Sequence, residues 1–210
     1  MNYIFDFDGT LADSLPAFIA VFNKTVRNNK NPITAEEINH LRSMSLRKAI
    51  KHLGIRWWQV PKLLVQGIPD FHALVPGLKS FKGVPEVIKE LDRRGDKLYI
   101  VTSNTRESVD VFLEKNKLAG YFIDITANAG LFNKSKYIRK LMKRNNLKRK
   151  DCIYIGDEAR DIQAARLAVI KIASVTWGFN DIQLLRKNHP TYLIEEPSQL
   201  LNLKKKSLRK

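Results

Sequence analysis

Asp6 and Asp8 stand two positions apart in "YIFDFDGTLADS", at the end of an apolar run, where their charges repel. Three further acids, Asp157, Glu158 and Asp161, follow the apolar run "DCIYIG" much later in the chain. Carboxylates gather in one cleft only around a cation, and an oxygen-rich site suits a hard ion such as Mg²⁺. Thr102, Ser103 and Asn104 follow another apolar run, where Thr102 with nearby backbone N–H groups can hold phosphate oxygens. Lys134 and Lys136, in "LFNKSK", offer the positive charge that phosphoryl transfer needs beside a metal. These residue types allow a carboxylate to attack phosphorus, so that an aspartyl phosphate divides the reaction into two easier steps. One of the first two acids is then the nucleophile, and its neighbour handles protons.

The elements that must bring these groups together are legible as alternating patterns. "NYIFDF", "KLYIVTS", "DCIYIGD" and "IKIASVTW" are rich in Ile, Val and Tyr with little polar alternation, as expected of strands covered on both faces. "YFIDITA" is a fifth, more polar candidate. Helical patterns lie between them in "GVPEVIKELDRRG", "ESVDVFLEKNKL", "KYIRKLMKRN" and "ARDIQAARLAV", the first stopped by Gly95. This alternation predicts an α/β fold with a parallel sheet and right-handed crossovers. The candidate site residues all fall just past strand C-termini or at a helix start, where open α/β sheets bind ligands. Between Leu11 and about Ser80 only helical candidates occur, around 15–28, 34–41, 44–53 and 56–66. That is too long for an ordinary crossover and reads as a helical insert, hinged at "GTLADS" and "LVPGLKSFKG".

Composition bounds the partners. The 210 residues are 44% hydrophobic, enough for a substantial core, and no apolar run approaches the ~18–20 residues that span a bilayer. No secretory leader is expected, because Asp6 and Asp8 interrupt the only N-terminal apolar candidate. The single cysteine, Cys152, cannot form an internal disulfide and fits a cytoplasmic location, as an inert apolar filler. A net charge of +16 attracts polyanions, yet the basic residues are scattered apart from "KSKYIRKLMKRNNLKRK" and the tail "LKKKSLRK". Neither run has the interleaved aromatics of a single-strand groove, so nucleic acid is a partner weighed but not favoured over a small phosphorylated metabolite. The four histidines show no metal-ligand spacing and read as surface or packing residues. Trp57 and Trp58 read as packing within the insert. Arg42, Arg47 and Lys48 read either as contacts for an anionic leaving group or as a solvated basic face.

Taken in order, DxDGT, a strand ending in Thr, a lysine and GDxxxD resemble the haloacid dehalogenase (HAD) superfamily. Within it the chain looks like the phosphoglycolate phosphatase-like hydrolases with an α-helical cap after the first motif. The likeness covers nearly the whole chain, including "GDEARDIQAARLAVIKIASVTWGFN". It implies a Rossmann-like core from residues 1–13 and 81–210, and an α-helical cap from 14–80. It also implies that Asp6 is the nucleophile and Asp8 the general acid, later the general base. Mg²⁺ would be held by Asp6, the backbone carbonyl of Asp8 and Asp157, with Asp161 a further ligand or a support behind them. Thr102 and Lys134 would bind the transferring phosphate, with Ser103 and Asn104 beside them, and Thr10 would orient the first loop. Residues two apart on a helix face different ways, so one of Lys134 and Lys136 reaches the phosphate, and Lys134 is favoured. Two departures stand out: Ser135 follows the lysine where relatives often have proline, and Val169 replaces a common glycine. The second acid, Asp8, argues against dehalogenases and phosphonoacetaldehyde hydrolases. Sugar phosphomutases share these core motifs, but hydrolysis of a phosphate monoester is the expected reaction.

Overall fold

A computed structural model describes residues 1–27, 29–130 and 133–203. Leu131 and Phe132 of "LFNKSK", and the tail from 204 onward, lie outside the described residues. Six parallel strands form one sheet: β1 (Asn2–Phe5), β2 (Lys97–Val101), β3 (Phe122–Thr126), β4 (Cys152–Gly156), β5 (Lys171–Val175) and β6 (Tyr192–Ile194). Their spatial order is β3-β2-β1-β4-β5-β6, so the first strand is central, with β2 on one side and β4 on the other. The five expected strands are present. The sixth has only three residues and carries no periodic pattern that would reveal it.

The missing polar alternation has a direct cause. Tyr3, Phe5, Leu98, Ile100, Ile153 and Ile155 pack on one face, against α5 (Val84–Arg93) and α6 (Arg106–Lys115). Ile4, Tyr99, Val101, Cys152 and Tyr154 pack on the other, against α7 (Lys134–Arg144) and α8 (Ala159–Ala168). Both faces of the central strands are buried, so their middle positions are apolar on either side. Burial also pushes the Cys152 thiol up to about 11, which fits the inert role expected of it.

Between β1 and β2 the chain forms α1 (Leu15–Thr25), α2 (Ala35–Arg42), α3 (Leu46–His52) and α4 (Val60–Leu74). α4 starts and ends later than its sequence pattern suggests, continuing through Gly67 and Pro69. Packing against α1, including a Phe18–Phe71 ring contact at 4.6 Å, overrides those two breakers. The ways into and out of the insert touch one another. Asp13 N donates to Lys79 O at 2.9 Å, and the Ser80 hydroxyl donates to Leu11 O at 2.9 Å. Trp58 is 71% exposed beneath Arg56, and Trp57 lies partly exposed beneath Arg47, so neither fills the interior of the insert. Among the described residues no helix is long and apolar enough to cross a membrane.

Val169 occupies the position where a glycine was expected. It caps α8 in the left-handed region, with φ +58, where a β-branched side chain is strained. Its side chain is 62% exposed, so removing it loses little packing. Val169→Gly is expected to stabilise the fold by about 1 kcal/mol, raising Tm by roughly 2–4 °C in thermal unfolding.

Candidate active site

The sheet order explains why residues about 150 positions apart meet. β1 and β4 are adjacent and in register, Phe5 beside Ile155, so Asp6 and Asp157 leave neighbouring strand ends. Asp6 N extends the pairing by donating to Ile155 O at 2.8 Å. Beyond it the chain turns sharply, with the N–H groups of Thr10, Leu11 and Ala12 all converging on Phe7 O. Gly9 stands in that turn at φ +72, and a Cβ there would lie 2.2 Å from Asp157 Oδ2. Only glycine lets the first loop approach the second acid so closely.

Carboxylate oxygens of Asp6, Asp157 and Asp161, all buried, lie within 4.8 Å of one another. The Lys134 ammonium, at the start of α7 and 3% exposed, donates to Asp6 Oδ2 at 2.6 Å and to Asp161 Oδ1 at 2.7 Å. Lys136 is exposed, so Lys134 is the one of the two lysines that joins the acids. Asp157 Oδ1 accepts from the Thr10 hydroxyl at 2.7 Å, and Oδ2 accepts from Phe179 N at 2.7 Å. Asp161 Oδ2 accepts from Glu158 N at 3.0 Å, within a reciprocal capping pair that starts α8. Glu158 turns to Arg160 instead, accepting from its Nε at 2.9 Å and Nη2 at 2.5 Å.

Thr102 is fully buried at the end of β2, its hydroxyl accepting from Asn104 N at 3.0 Å. Asn104 Nδ2 donates to both Asp8 oxygens, at 3.1 and 3.3 Å. Ser103 is half-buried between them. The first loop and the end of β2 are thereby tied together.

The electrostatics describe a site short of positive charge. Burial pushes Asp6 up to about 7, against the lowering pull of Lys134. Burial likewise raises Asp8, opposed by Ser14 and Asn104. Asp157 is pushed well above the usual carboxylate range by burial and then by Glu158, Asp161 and Asp6. Burial alone would lower Lys134, but Asp161 and Asp6 outweigh it and the ammonium is held charged. Three carboxylates and one ammonium leave 3 − 1 = 2 negative charges in this cluster. A divalent ion would offset them, and a donor set made of carboxylate oxygens suits a hard one.

Linkage gives the sign of a pH effect. The ion-free fold binds a proton at Asp6 that the unfolded chain releases near its ordinary pKa. Its contribution is therefore present below pH ~4 and lost as pH rises through about 7. In EDTA, Asp6→Asn is expected to gain Tm relative to the parent between pH 4 and 7; a pH-independent difference would contradict this assignment.

Sequence reasoning gave no individual role to the segment after β5. Trp177 Nε1 donates to Thr10 O at 3.2 Å, and Phe179 N holds Asp157. A Cβ on Gly178 would sit 2.3 Å from Asp157 Oδ2 and from Gly9 O. Backbone groups do this work, so residue types carry little signal beyond the "WGF" triplet itself. Arg42 departs from one of its two readings, the solvated basic face. Its guanidinium donates to Gly178 O at 2.9 Å and Phe179 O at 3.3 Å rather than lining an open basic face.

A six-stranded parallel sheet with acids converging past the ends of adjacent central strands is a Rossmann-like α/β core with a candidate site at its strand ends. A family model described as haloacid dehalogenase-like hydrolase matches residues 3–175, and the chain belongs to that family. A phosphoglycolate phosphatase from Synechococcus elongatus is 35% identical over 199 residues, 94% of each chain. Phosphoglycolate phosphatase 1 from Pseudomonas aeruginosa is 27% identical, over 94% of this chain and 77% of its own. A haloacid dehalogenase-like family hydrolase from Streptococcus pneumoniae shares the fold, with TM-score 0.81 at 22% identity and 96% of both chains covered.

Proposed function

We propose that this phosphatase hydrolyses the phosphate monoester of a small metabolite with Mg²⁺, and that its substrate is phosphoglycolate-like. The observation that carries the reading is the convergence of Asp6, Asp157 and Asp161, with Lys134 inserted among them and Thr102 past the end of the neighbouring strand β2. The similarity to phosphoglycolate phosphatases along 94% of the chain supports the substrate class. Asp6, Asp157 and the backbone carbonyl of Asp8 would hold the ion, with Asp161 beside them. Bound there, the ion supplies charge neutralisation and a Lewis acid for a phosphoryl oxygen.

The chain's own residues then act in order. An Asp6 oxygen forms a bond to phosphorus as the bond to the leaving oxygen breaks, and Asp8 gives that oxygen its proton. The raised Asp8 fits a group that enters the reaction protonated. Asp8 next takes a proton from water, whose oxygen attacks phosphorus, freeing phosphate and restoring the Asp6 carboxylate. Lys134 and Thr102 hold phosphoryl oxygens throughout. Asn104 orients Asp8, and Thr10 orients Asp157.

Purified protein is expected to release p-nitrophenol from p-nitrophenyl phosphate, to lose that activity in excess EDTA and to regain it with Mg²⁺. Among phosphorylated metabolites, small carboxylated esters are expected to give the highest kcat/KM. Activity indifferent to EDTA would remove the metal from the reading.

A further inference from the structure

The segment 178–181 joins the metal-site acid to the helical insert on both sides of its backbone. Toward the acids, Phe179 N donates to Asp157 Oδ2 at 2.7 Å. Toward the insert, the Arg42 guanidinium donates to the carbonyls of Gly178 and Phe179. The contact is reciprocal. Arg42 is the last residue of α2, where helical carbonyls lack intrahelical partners. Asp181 N donates to Arg42 O at 3.0 Å, and Asn180 Nδ2 donates to Met44 O at 3.2 Å. Asn180 Oδ1 meanwhile accepts from Ala159 N at 2.9 Å, in the first turn of α8. With a carbonyl on one side and an N–H on the other, the orientation of this amide is fixed by its partners. The Phe179 ring stands edge-on to Phe18 of α1 at 5.4 Å, adding an apolar contact to the polar ones.

We propose that Arg42 is a positioning residue for Asp157, fixing through the Gly178–Phe179 carbonyls the N–H that orients this acid toward the metal. The inference rests on the metal role proposed for Asp157. It makes the insert a support of the proposed metal site although, among the described residues, no insert side chain is hydrogen-bonded to Asp6, Asp157 or Asp161. A displaced α2 releases the 178–181 turn, the Phe179 N–H shifts, and Asp157 loses one of its two hydrogen-bond donors. Groups behind a ligand typically change metal affinity by about 10–100-fold when removed, and Arg42 acts at one remove more, so the lower end applies.

The test uses substrate-free protein and counts free Mn²⁺ by electron paramagnetic resonance, a readout independent of turnover. Arg42→Ala is expected to weaken Mn²⁺ binding roughly 10-fold with Tm nearly unchanged. Arg42→Lys, which keeps the charge but lacks the planar fork that reaches both carbonyls, is expected to restore binding only in part, to an affinity between those of Arg42→Ala and the parent. Asn180→Asp cuts the same clasp from the other side and is expected to weaken binding in the same direction. Arg42→Ala and Asn180→Asp both binding Mn²⁺ within about twofold of the parent would overturn the proposal. Asp157→Asn separates the two levels. If it binds Mn²⁺ like the parent, the metal reading itself fails; if it alone loses binding, only the role of Arg42 fails.

Discussion

Asp6→Asn is expected to lower kcat for p-nitrophenyl phosphate by roughly 10⁴–10⁶-fold while leaving the fold intact. The substitution preserves size, and Lys134 keeps its 2.7 Å bond to Asp161, so no buried charge is stranded. What disappears is the carboxylate oxygen proposed to attack phosphorus, and the neighbouring acids have other commitments. Asp157 is committed to Thr10 and Phe179, while Asp8 is tied to Asn104. Steady-state assays, together with acid-quenched samples probed for a phosphorylated protein, check this. Residual activity above about 1% of the parent, well outside the range for loss of a nucleophile, would assign the attack elsewhere.

Lys134→Met combines a chemical and a structural loss. Both the ammonium and its two carboxylate partners are at most 4% exposed, so solvent does little to screen them. Removing one member of a buried ionic cluster costs about 3–5 kcal/mol. For a chain of this size that is a drop in Tm of roughly 6–20 °C. Mg²⁺ is expected to recover part of the loss, because an ion bound only by the folded state stabilises it. Activity falls by roughly 10²–10³-fold even when the protein is saturated with metal. Calorimetry with and without Mg²⁺ separates the two effects. An unchanged Tm in EDTA would mean that the lysine does not neutralise the cluster.

The acid cluster was legible in the sequence because its signals are local. Asp6, Asp8, Thr102 and Asp157 each follow an apolar run directly, and the run identifies the strand end that carries them. The helical repeat showed that only one of Lys134 and Lys136 could face the site, but not which of them. The clasp at 178–181 was obscured for the opposite reason: it acts through backbone N–H and carbonyl groups, which every residue type possesses. Arg42 was obscured by its setting, since one arginine in a chain of net charge +16 resembles many others. Two structural features escaped for separate reasons. β6 is too short for a pattern, and α4 runs through Gly67 and Pro69 because packing against α1 outweighs local preference.

The central place of β1 has a consequence during synthesis. Its hydrogen-bonding partners, Lys97–Val101 and Cys152–Gly156, are made long after it. At ~5–20 residues per second, roughly 7–30 s separate translation of β1 from that of β4. Until β2 emerges, "YIF" is a sticky segment without a strand partner, the kind that nucleates aggregation, and its other edge stays open until β4 follows. The acids immediately after it are then the nearest charges able to discourage self-association, so the pair proposed to carry the reaction would also guard the nascent chain.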